Sequence, residues 1–156
     1  MYQLWLAVRV RNSLVSHLKT HRSKVCGLKW SITGNLLASG GDDNVVYIWE
    51  ASMMNSAQFV YRFTNHVAAV KALAWCPYNF EVLASGGGTN DWCIKLWDTQ
   101  QGTYINSVNT EAQIRDRSLF SCSRRDNDDA FCRRHKWGEA TLRFSNCEIT
   151  VILFNL

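Results

Sequence analysis

Two sets of residues in this 156-residue chain have the composition of a hydrolytic triad: His21, Ser39 and Asp43, then His66, Ser85 and Asp91. In a hydrolase the histidine takes the serine proton, the carboxylate orients the imidazole, and the hydroxyl attacks a carbonyl. That chemistry needs the serine on a strained, accessible elbow between strand and helix. Ser39 and Ser85 instead fall inside Leu37-Ala38-Ser39-Gly40 and Leu83-Ala84-Ser85-Gly86, which read as strands. The complete set occurs twice, each time followed by a tryptophan in the spacing Asp-x5-Trp (Asp43 to Trp49, Asp91 to Trp97). Duplication fits a structural device better than one active site. A second constellation, Cys122, Cys132, His135 and Cys147, has zinc-binding residue types but lacks the paired Cys-x2-4-Cys knuckle that pre-forms such a site. Gly86-Gly87-Gly88 has no following Gly-Lys-Ser/Thr and reads as a turn, not a phosphate cradle. No catalytic residue, metal or cofactor is expected.

The elements that position these residues are set by a repeat. His21, Val25, Leu28 and Trp30 align with His66, Val70, Leu73 and Trp75 at an offset of 45. Leu37 to Gly40 align with Leu83 to Gly86 at 46, and Asp43 and Trp49 with Asp91 and Trp97 at 48, the extra residues falling in turns. A period near 45 is the length of one four-stranded propeller blade. Strands are expected over 25–30, 36–40, 45–49 and 59–63, and again over 70–75, 82–86, 93–97 and 104–108, because these runs are β-branched or aromatic and bounded by Gly, Asp and Asn. The fold class is all-β: a partial propeller with two complete four-stranded blades, a strand of a third, and an irregular C-terminal tail. Residues 1–20 read as strand(s) of a preceding blade, 21–65 and 66–112 as the two repeats, and 113–156 as a divergent tail, disordered or joined by a frameshift, intron read-through or deletion.

At this point the chain resembles the WD-repeat family. The resemblance implies that His21, Ser39, Asp43 and Trp49, and likewise His66, Ser85, Asp91 and Trp97, form buried hydrogen-bonded tetrads. Val25-Cys26-Gly27-Leu28-Lys29-Trp30-Ser31, Leu37 to Asn44, Trp75-Cys76-Pro77 and Leu83 to Thr89 are similar to central blades of the Fizzy family. That family comprises activators of the anaphase-promoting complex, the cell-division-cycle-twenty and Fizzy-related proteins. The similarity covers about residues 7–114. It implies a protein without catalysis that recruits degron-bearing substrates such as cyclins to a ubiquitin ligase, in the nucleus and cytoplasm, with ligase subunits as partners. It also implies that Asp42 (where the family usually has Asn), Asn44 and Thr89 contact a KEN degron, the peptide Lys-Glu-Asn. The ligase-docking box, the Ile-Arg tail and five blades of the family's seven are not found in the chain. The alternative is a scaffolding or non-functional WD-repeat fragment.

Composition describes a folded protein of about one domain. Hydrophobic residues make up 47% and charged residues 19%, which suits a folded chain and not a disordered one. No apolar run approaches the roughly 18 residues of a membrane helix, and the apolar start, Met1 to Leu6, meets Arg9 and Arg11 too soon for a signal peptide. Seven Arg/Lys between 115 and 137 alternate with Asp116, Asp126, Asp128 and Asp129, so no basic face for nucleic acid is expected. The six cysteines are expected to be reduced thiols, with Cys26, Cys76 and Cys93 acting as small apolar residues. Two blades without neighbours leave broad faces uncovered, so self-association through those faces is expected. Residues 149–154 form an uncharged β-prone run.

Overall fold

The computed structural model describes residues 20–111 with their side chains (57, 78 and the side chain of Asn55 excepted) and the backbone of six further strands. Two short strands, β1 (Arg9–Val10) and β2 (Ser13–Leu14), pair only with each other among the described strands. Next come β3 (Val25–Trp30), β4 (Leu36–Gly41) and β5 (Val46–Glu50), a short 3-10 helix (Ala51–Ser56), and β6 (Tyr61–Phe63). β7 (Val70–Trp75), β8 (Val82–Gly87), β9 (Cys93–Asp98) and β10 (Thr103–Asn109) repeat the arrangement. Each set is an antiparallel sheet in which every strand lies beside the one before it in the chain. The all-β reading and the two blades therefore hold.

The tail differs from the expectation of irregularity. It carries β11 (Leu119–Ser123), β12 (Cys132–His135), β13 (Glu139–Phe144) and β14 (Cys147–Ile152), joined in a four-stranded sheet of order β11-β14-β13-β12. Alternation of apolar and polar residues in Glu148-Ile149-Thr150-Val151 and Ala140-Thr141-Leu142-Arg143 supplies the strand pattern there, while the charged stretch around it hides the pattern from a reading by composition. The side chains of Cys122, Cys132, His135 and Cys147 lie outside the described residues, as do residues 1–8 and 153–156 entirely.

The two blades pack face to face, and the repeat makes that joint a regular one. Leu36, Ala38, Val46, Ile48, Tyr61 and Phe63 of the first blade meet Val70, Leu73, Trp75, Leu83 and Trp97 of the second. Phe63 stacks on Trp97 with ring centroids 4.3 Å apart, and the Trp75 indole donates across the joint to the Lys29 carbonyl at 3.1 Å. Burying one large aromatic of ~150–250 Å² contributes roughly 4–6 kcal/mol before entropy is counted, at ~25 cal/mol per Å². On the near face of the first blade the equivalents of Leu83 and Trp97, Leu37 and Trp49, stay buried in a cluster with Tyr47 and Met54, but those of Leu73 and Trp75 do not. Leu28 is 42% exposed against 9% for Leu73, and Trp30 40% against 7% for Trp75. Sequence position and strand are the same in each pair; only the neighbouring sheet differs.

Candidate functional site

In the first blade the strands bring His21, Ser39, Asp43 and Trp49 together. The His21 imidazole Nδ1 lies 2.9 Å and 3.1 Å from the two Asp43 carboxylate oxygens, and its Nε2 lies 2.9 Å from Ser39 Oγ. Trp49 Nε1 donates to the same Oγ at 2.9 Å. The donor inventory fixes the proton positions. A carboxylate only accepts, so Nδ1 carries the imidazole hydrogen; Nε2 then accepts from the Ser39 hydroxyl, whose oxygen accepts from the indole. Asp43 also accepts from the Arg22 backbone N–H at 2.8 Å. The second blade repeats the chain through His66, Ser85, Asp91 and Trp97: His66 Nδ1 pairs with Asp91 Oδ2, Nε2 meets Ser85 Oγ at 2.6 Å, and Trp97 Nε1 donates to that oxygen at 2.7 Å. Burial pushes the His66 imidazole below its ordinary range against the raising pull of Asp91, which keeps it neutral as the chain of donors requires.

This geometry cannot run acyl transfer. Ser39 and Ser85 are fully buried, and each hydroxyl oxygen already accepts a hydrogen bond from an indole N–H, so no carbonyl reaches it. Among the described residues the free thiols offer no better nucleophile: burial raises Cys26 and Cys93 above the ordinary thiol range. Among the described residues no group of His, Cys, Asp and Glu could hold a metal. Cys26 and Cys93 are free, but Cys76 is disulfide-bonded, which corrects the expectation that all six cysteines are reduced. Oxidation depends on which sulfurs the fold brings within reach, and the spacing along the chain does not show that.

What the tetrads do is shape two turns. The Asp43 carboxylate is held by His21 and the Arg22 N–H, and Asp42 and Asn44 flank it on the turn, Asn44 half-buried. Asp42 is exposed, with its backbone N–H donating to the Lys24 carbonyl at 2.8 Å. Asn44 takes a left-handed φ of 63°, a conformation its short amide tolerates, and its N–H closes on the Gly41 carbonyl at 3.2 Å. Thr89 is exposed at the corresponding turn of the second blade, where Gly88 N–H donates to the Ala69 carbonyl at 2.9 Å. Val70 pairs with Gly87 and also lies against Gly40. The two turns therefore open at the same end of adjacent sheets, and Asp42, Asn44 and Thr89 share one rim.

Two structural features have no signal in a search for reactive residues, and only the first lies at this rim. Gly41 and Gly87 precede the turns, and a Cβ at either would occupy the space of Asp43 and His21, or of Asp91. Tyr61 donates its hydroxyl to the Gln100 carbonyl at 2.7 Å, tying the outer strand of one blade to a loop of the next. The first signal is the doubled glycine at the same place in both repeats; the second is a contact between repeats and has none.

Residues 12–50 and 57–98 match the family described as WD domain, G-beta repeat. The chain is 51% identical over 110 residues to the Arabidopsis thaliana protein named cell division cycle 20.4, cofactor of APC complex, a stretch covering 69% of this chain and 25% of that protein. It is 50% identical over 107 residues to protein FIZZY-RELATED 1 of the same plant, covering 69% and 22%. The chain thus spans about a quarter of the length of these relatives. Among solved structures, a chain in the crystal structure of the Mitotic Checkpoint Complex superposes with a TM-score of 0.68 at 34% identity, over 95% of this chain and 45% of that one.

Proposed function

The chain belongs to the WD domain, G-beta repeat family, and from that membership we propose that it serves as a substrate-recognition piece of an anaphase-promoting complex cofactor, without chemistry of its own. The observation that carries this reading is the pair of turns beside the buried tetrads, where Asp42 and Thr89 are exposed and Asn44 is half-buried. The names of the relatives, cofactors of that complex, support the same role. Its ligands are degron peptides of the KEN type in substrates such as cyclins, its partners are subunits of the ligase, and its place of work is the nucleus and cytoplasm.

Asp42 sets the strength of that recognition. An asparagine there donates a hydrogen bond to the peptide; an ionised carboxylate only accepts, and it repels the peptide glutamate at close range. An exposed pair with the peptide lysine returns little, ~0–1 kcal/mol. The test grafts residues 21–114 into the propeller of a full-length relative and measures fluorescence anisotropy of a labelled Lys-Glu-Asn peptide. The graft binds, and Asp42→Asn within it tightens binding by ~1 kcal/mol or more, the scale of a hydrogen bond to a charged group. Equal affinities remove Asp42 from the peptide site. A folded graft that binds nothing selects the second reading, a scaffolding fragment, which the exposed Leu28 and Trp30 face favours.

A further inference from the structure

We propose that Trp92 is a recognition residue on the rim of Asp42, Asn44 and Thr89, its exposed indole receiving the ammonium of the peptide lysine; this rests on the peptide-binding reading above. Trp92 follows the tetrad residue Asp91 as Asn44 follows Asp43, and both take a left-handed φ, 49° and 63°. Asparagine tolerates that conformation, whereas a bulky side chain is strained in it. Burial does not offset the strain, because Trp92 is 43% exposed. Hydrogen bonding does not offset it either. Among the described residues Trp49, Trp75 and Trp97 donate Nε1 to Ser39 Oγ, the Lys29 carbonyl and Ser85 Oγ, but Trp92 Nε1 has no partner. Strain that nothing inside the fold offsets marks a functional position.

The backbone beneath the ring is fixed on both sides. The N–H groups of Asp91 and Trp92 close on the Gly88 carbonyl at 3.0 Å and 3.1 Å, so Trp92 ends the turn that carries the exposed Thr89 and Asn90. The Trp92 carbonyl in turn accepts from the Thr110 N–H at 2.7 Å and from its hydroxyl at 2.8 Å. A site fixed before binding loses less freedom when it is occupied. The charge beside the ring suits a cation: burial keeps His66 neutral, so no positive partner cancels the adjacent Asp91 carboxylate, and Asp42 adds a second carboxylate to the rim. The reach suits a short peptide. Val70 lies against Gly40 and pairs with Gly87, and β8 pairs with β9, so β9 stands two strand spacings from the joint, about 10 Å, the length of three extended residues.

Ligand-observed NMR titration of the full chain, which reads millimolar affinities, tests this with two capped peptides, Lys-Glu-Asn and norleucine-Glu-Asn. Norleucine keeps the aliphatic stem and removes the charge. The parent prefers the lysine peptide by about twofold to fivefold, the size of an exposed ammonium–indole contact. In Trp92→Asn that preference is lost, while the urea midpoint equals or exceeds the parent's because asparagine relieves the strain. A parent that binds both peptides equally, a preference undiminished in Trp92→Asn, or a lowered midpoint in that variant overturns the role of Trp92 and leaves the peptide-binding reading standing. A parent that binds neither peptide overturns both.

Discussion

Ser39→Ala destabilises the chain more than Asp43→Ala, although the aspartate is the charged member of the tetrad. The hydroxyl of Ser39 serves two buried groups, accepting from Trp49 Nε1 and donating to His21 Nε2, each at 2.9 Å. Ser39 and Trp49 are fully buried and the His21 side chain is 1% exposed, so water replaces neither bond. Stranding a buried polar group costs about 1–3 kcal/mol, which sums to ~2–6 kcal/mol for the pair. Asp43→Ala strands His21 Nδ1 alone, because the Arg22 N–H is exposed and finds water; its cost is ~1–3 kcal/mol. Equilibrium urea unfolding of the full chain, followed by tryptophan fluorescence and circular dichroism, reads the difference. With a urea slope of ~2 kcal/mol per molar, the midpoint falls by ~1–3 M for Ser39→Ala and ~0.5–1.5 M for Asp43→Ala. Ser52→Ala is the control, an exposed hydroxyl bonded to Glu50, and stays within ~0.5 kcal/mol of the parent. If Asp43→Ala costs as much as Ser39→Ala, or both match Ser52→Ala, the hydrogen-bond chain derived for the tetrad is wrong.

Gly102→Ala lowers the urea midpoint further than Gly34→Ala: both glycines have left-handed φ (70° and 75°), but a Cβ at 102 runs into the Tyr61 ring whereas one at 34 meets open space. Equal shifts would leave backbone strain as the whole effect. Acid destabilises through His66, whose imidazole is lowered by burial. Below the unfolded value of about 6.5 the unfolded chain takes up the proton first, so stability is full above pH 7 and falls as pH drops toward 5. A urea midpoint that is flat from pH 7.5 to 5.5 counts against a buried neutral imidazole. Leu28→Glu and Trp30→Glu reduce self-association in sedimentation velocity without loss of stability, whereas Trp75→Glu unfolds the chain; unchanged association in the first two means that their face is not the contact.

The strands were legible in sequence wherever β-branched and aromatic residues alternate between turn residues, and Val25–Trp30 and Val70–Trp75 run between the limits that pattern gives. The 3-10 helix at Ala51–Ser56 was not, being too short for any periodicity; Met54 anchors it by burial beside Trp49. Cys132-Arg133-Arg134-His135 becomes β12 with no apolar alternation to announce it, since its pairing with β13 comes from the backbone. For the site, repetition brought out the tetrad residues because two copies agree. The neighbourhood of Asp42 and Thr89 depends on Val70 touching both blades, a relation between repeats that neither repeat contains.

The regular joint between the blades has a consequence for how such a gene changes length. At the joint between the two blades Leu36, Ala38, Val46 and Ile48 of the first unit meet Val70, Leu73 and Trp75 of the second. Unequal crossing-over that removes or adds one whole unit, at the spacing of 45 to 48 residues seen between equivalent positions, rejoins a far face to a near face that already fits it. A recombination point half a unit out of step sets two faces of the same kind against each other, and the chain loses the joint that burial of Trp75 holds together. Coding sequence of this type therefore shortens and lengthens in whole blades, and its viable breakpoints fall in the turns that separate one unit from the next.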